Sequence, residues 1–71
     1  MAMDYRLFTN DSLQLLHDAV HKAIEADKIA LRQHREPPHK TSDTKDWRDH
    51  AKGLEREMVA RGINFIAAVF T

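Results

Sequence analysis

Arg35-Glu36-Pro37-Pro38-His39-Lys40-Thr41-Ser42-Asp43 is the stretch that decides the fold. A proline fixes its own φ, has no N–H to donate, and disfavours helix in the residue before it. Two in succession end a helix arriving from the N-terminal side near Arg35. The Thr, Ser and Asp behind them are turn formers and helix caps. Residues 37–42 therefore read as a turn, of a length that suits antiparallel neighbours. A long amphipathic run flanks it on each side, so the turn joins two helices into a hairpin.

Upstream, residues 1–8 form a leader and residues 9–36 the first helix. Thr9 is the N-cap, with Phe8 and Leu13 at the two positions of a hydrophobic staple and Asp11 in the first turn. Leu13, Leu16, Val20, Ile24 and Leu31 recur at helical spacing within an arc of about 80°. Downstream, residues 43–70 form the second helix, capped by Asp43 or Ser42, with Asp46 in its acidic first turn. Its stripe is Trp47, Ala51, Leu54, Met58, Phe65 and Val69. Gly53 points away from that stripe and costs about 1 kcal/mol relative to alanine. Arg61-Gly62-Ile63 resembles a helix C-terminus and marks a candidate break. The stripe Val59, Ile63, Ile66 and Phe70 keeps its register across Gly62, which favours one continuous helix.

Each run spans about 26 residues, or roughly 39 Å. Antiparallel pairing about the turn sets Leu31 near Trp47, Ile24 near Leu54, Val20 near Met58 and Leu13 near Phe65. Both helices carry a second apolar row, which on the first is Leu15, Ala19, Ala26 and Ile29. Two rows per helix ask for more neighbours than one hairpin supplies. The expected architecture is therefore all-α, an antiparallel two-helix hairpin that dimerises into a four-helix bundle. Leu15, Ile29, Val59, Ile63, Ile66 and Phe70 are the candidate oligomer interface.

A chain of 71 residues is one domain with a marginal core, and such chains often compensate with disulfides, metals or self-association. It has no cysteine, which excludes disulfides and thiolate zinc sites. Eleven basic residues balance eleven acidic ones, so nothing draws the chain generally to nucleic acid or anionic membranes. The start lacks the basic segment and apolar run of a signal peptide. No stretch approaches the ~20 apolar residues of a membrane span. A cytoplasmic location is the default expectation.

Three constellations bear on chemistry. His17-Asp18-Ala19-Val20-His21 puts two imidazoles on one helix face and resembles the zincin motif H-E-x-x-H, with Asp in place of Glu. The resemblance implies His17 and His21 as metal ligands and Asp18 as base. Asp is one methylene shorter than the Glu that acts as general base, and no third ligand follows. The alternative is two polar histidines flanking the stripe, with Asp18 paired to Lys22. Asp27 lies at the centre of the first stripe, where an isolated carboxylate is costly. The antiparallel register puts His50 opposite it, so Asp27 and His50 are a candidate core polar pair that selects register. Arg32, Arg35, Lys40, Lys45 and Arg48 make the turn end mildly basic, a candidate contact for anions or nucleic acid.

No Gly-rich phosphate loop, Ser-His-Asp order or EF-hand pattern is present. The expected function is a small non-enzymatic interaction or regulatory protein without cofactor. It acts as a homo-oligomer and binds a larger protein partner. The alternatives are a nucleic-acid-binding regulator using the basic turn ends, and a metal-binding protein using His17 and His21.

Overall fold

The computed structural model describes residues 4–70; residues 1–3 of the expected leader lie outside the described residues. A 3-10 turn, Tyr5–Leu7, precedes α1 (Asn10–Arg32) and α2 (Lys45–Ala60). The described chain is all-helical with two helices packed on each other. The chain returns antiparallel along α1: Asn10 meets Arg61 just past α2, His17 meets Glu55 of α2, and Asp27 meets Thr41 of the connection.

Thr9 caps α1, its hydroxyl accepting the Ser12 N–H at 3.1 Å, with Asp11 in the first turn. The other end stops at Arg32, short of the prolines. The Arg35 N–H bonds the Ala30 carbonyl at 2.8 Å and the His34 N–H bonds Leu31 at 3.1 Å. His34 sits between them at φ 57°. This is a Schellman cap built on a residue other than glycine, and it releases the chain before Pro37 acts. A side chain at that φ is strained by about 1 kcal/mol, and His34 is exposed. His34→Gly is expected to stabilise the fold by about 1 kcal/mol, raising the melting temperature by about 4–8 °C in a thermal scan.

Residues 33–44 then form a connection twice as long as the six-residue turn read from the prolines. Lys40, at φ 52°, accepts the N–H groups of Asp43 and Thr44 at 3.1 and 3.0 Å. Thr44 occupies the cap position of α2 instead of Asp43 or Ser42, and its side chain makes no capping bond.

The second helix does not continue to residue 70. Gly62 adopts φ 72°, and the Ile63 and Gly62 N–H groups bond Met58 and Val59 at 2.9 and 3.0 Å. Glycine enters the left-handed region without penalty, so the cap competes well with further helix. Residues 63–70 carry no regular secondary structure. They return along the hairpin, seating Ile63, Phe65, Ala68 and Phe70 against the core. A helical tail would have been apolar on nearly every side.

That core is Leu13, Val20, Ile24, Ala51, Leu54 and Met58. The longer connection shifts the helix register by roughly six residues, about 9 Å, from the sequence expectation. Glu55 faces His17, where the expected register would set Arg61. The end of α1 therefore meets the connection and not α2, which leaves Leu31 exposed at 55%.

Candidate functional site

The long α1 presents His17 and His21 one turn apart, ring centroids 4.8 Å from each other and edge-to-face. His17 is buried, and its Nε2 lies 2.8 Å from Glu55 Oε2. The same oxygen accepts the Ala68 N–H at 2.8 Å. His21 Nε2 lies 2.6 Å from the Ile66 carbonyl oxygen. A carbonyl only accepts, so His21 carries its proton on Nε2. Phe65 meets His17 edge-on at 5.2 Å. Together these groups strap residues 63–70 to the hairpin, beside a hollow of about 550 Å³ between the histidines and the tail.

The candidate metal pair is thus brought together, with both Nε2 atoms occupied by protein partners. Among the described residues no group of three or more His, Cys, Asp or Glu side chains is placed to hold a metal ion. Asp18, the counterpart of the zincin base, is exposed and pairs with Lys22 at 4.0 Å.

Asp27 and His50 do not pair. The Asp27 carboxylate is buried and accepts three hydrogen bonds from the connection. They come from the His39 N–H at 2.8 Å, the Thr41 N–H at 2.6 Å and the Thr41 hydroxyl at 2.7 Å. Burial pushes the carboxyl up, but the bonds from Thr41 and His39, aided by the His39 charge, outweigh it. The net position is below the ordinary aspartate value. The register shift explains the change of partner: it brings the connection, not α2, over the last turns of α1.

His50 instead holds the N-terminal segment. Its Nδ1 is 2.8 Å from the Tyr5 hydroxyl. Burial lowers the imidazole below its ordinary value, which favours the neutral ring. The Tyr5 ring lies on Gly53, where a Cβ would overlap it. Arg61 completes the clasp, reaching the Arg6 carbonyl at 3.0 Å, Asn10 Oδ1 at 2.9 Å and Glu57 Oε1 at 3.2 Å. Tyr5 and Glu55 escaped the sequence reading, and so did the long-range partners of Gly53 and Arg61. Those partners are remote in the chain, and no local pattern marks them.

Of the basic turn residues, Arg32 pairs with Glu25, Lys40 with Glu36 and Lys45 with Asp49. Arg48 donates to the Ser42 carbonyl, and Arg35 to Gln33. The five do not form a single uncompensated patch. Among the candidate interface residues, Leu15 (70%), Val59 (68%), Ile66 (81%) and Ile29 (39%) remain exposed. Ile63 and Phe70 pack on the chain's own core.

Comparison with known proteins finds no matching family model, no similar curated protein and no similar solved structure.

Proposed function

We propose that this protein is a small non-catalytic interaction module that works as a homo-oligomer and offers helical surface to a larger protein. The observation that carries this reading is the large apolar surface left outside. Leu15 and Ile29 stand out from α1, Val59 from α2, and Ile66 and Val69 from the tail. Single exposed apolar residues are ordinary, but rows of them on a helix mark contact surfaces.

The shape agrees. The Cα radius of gyration is 12.8 Å, against about 11 Å for a compact chain of this length. The thinnest dimension is 17 Å, less than two helix diameters of roughly 10–12 Å each. Such a slab is one layer of helices, whereas folded domains are commonly built from two or more. The groups most suited to acid–base work, His17 and Glu55, are instead engaged with each other and with the tail.

Sedimentation equilibrium over about 1–100 µM tests the reading. The expected mass is that of a dimer, with dissociation at the dilute end. A monomer across the whole range would remove the homo-oligomer.

A further inference from the structure

The outward row of α1 runs Leu15, Ala19, Lys22, Ala26, Ile29, in alternating steps of four and three. That spacing keeps all five on one helix face, as a seam for another helix. The ends carry large apolar side chains, the positions between them are alanines, and the Lys22 side chain at the centre is 81% exposed. Two hollows border this row. One, of about 400 Å³, lies at the level of Leu16, Ala19 and Val20 and is walled by Trp47. The other, of about 370 Å³, lies at the level of Ala26, Ile29 and Ala30 and is walled by Pro38.

We propose that this face binds a second copy of the chain, α1 against α1 and antiparallel, about a two-fold axis at Lys22. The inference rests on the homo-oligomer reading above and names its surface. A two-fold rotation at Lys22 sets Leu15 of each copy opposite Ile29 of the other. Leu15 then enters the hollow beside Ala26 and Ala30, while Ile29 enters the one beside Ala19 and Trp47. The alanines meet near the centre, where small side chains let the helix axes approach closely. Asp11, in the first turn of α1, comes level with Arg32 in the last turn of the second copy. The two helix dipoles also oppose each other favourably. At the axis the two Lys22 ammonium groups sit among Asp18 and Glu25 of both copies. A face that is its own complement under two-fold rotation is what an isologous dimer requires. An unrelated partner helix would impose no such symmetry.

The chain has no cysteine, so single substitutions in the full chain report the geometry by disulfide formation. Lys22→Cys is expected to cross-link to itself under mild oxidation. Leu15→Cys and Ile29→Cys are each expected to stay uncross-linked alone and to cross-link when mixed. Leu15→Glu is expected to weaken the dimer by about tenfold or more, with an unchanged helical circular dichroism signal because Leu15 lies outside the core. Val59→Glu is expected to leave dimerisation within about twofold.

Self-cross-linking of Leu15→Cys and Ile29→Cys as readily as Lys22→Cys would show a parallel seam and overturn the proposal. A dimer that survives Leu15→Glu and fails with Val59→Glu would move the interface to α2. Either result leaves the homo-oligomer reading standing, whereas a monomeric parent chain removes both.

Discussion

Asp27→Ala is expected to destabilise the fold by about 3 kcal/mol and to release residues 33–44 from α1. Three donors converge on this carboxylate. Hydrogen bonds to an ionised acceptor are stronger than neutral ones. Thr41 is itself only 1% exposed, so alanine would strand its buried N–H and hydroxyl. Urea denaturation reads the loss, and amide exchange at Thr41 and His39 should rise with it. Asp27→Asn should fall between the parent and Asp27→Ala. Its single carbonyl oxygen serves the Thr41 groups, while its amide faces another donor, the His39 N–H. The pH dependence has a definite sign. Because the folded carboxyl lies below its ordinary value, its contribution is fully present above about pH 3.9. It is lost as pH falls through the lowered folded value. The same acid range should cost Asp27→Ala less stability than it costs the parent. An equal acid loss in both would place the sensitive group elsewhere.

Gly53→Ala is expected to destabilise by about 2 kcal/mol, although alanine favours a helix interior by about 1 kcal/mol over glycine. The new Cβ would overlap the Tyr5 ring, 2.7 and 2.8 Å from two of its atoms and nearer still to a third, far inside van der Waals contact. The ring must leave, and with it go the bond to His50 and the edge contact with Phe8 at 6.0 Å. A double-mutant cycle isolates the clash. With Tyr5→Ala already in place, the steric objection disappears and Gly53→Ala should stabilise by up to about 1 kcal/mol. The change of sign is the diagnostic. If Gly53→Ala destabilises equally in both backgrounds, Tyr5 does not rest on Gly53.

Local features were legible where the determining interactions are local. The cap at Thr9 needs only residues 9–12, and the stripe Leu13, Val20, Ile24 needs only helical periodicity. Gly62 carried both readings: a glycine C′ signal three residues after Val59, and an apolar row that ran through it. The row favoured a continuous helix because periodicity counts faces without asking what will cover them. Among the described residues no further helix is available to cover an all-round apolar segment. The tail lies along the hairpin without regular secondary structure and takes polar partners from His21 and Glu55.

The pairing of Asp27 was legible only in part. Its position in the apolar stripe announced that it needed polar partners, and those partners had to come from elsewhere in the chain. Which ones depended on where the first helix ended. His34 at positive φ ends it early, a conformation uncommon for any residue but glycine. With that early end go a longer connection, a register displaced by roughly six positions, and His39 and Thr41 in place of His50 as partners of Asp27.

The sequence by itself determined two amphipathic helices, their antiparallel return and the excess of apolar surface, because helical periodicity and proline chemistry act within a few residues. Only the tertiary structure decided the helix register, the course of residues 63–70 and the seat of Tyr5 on Gly53. Each of these is a choice among contacts distant in sequence, separated by few kcal/mol, and set by which buried polar groups find partners.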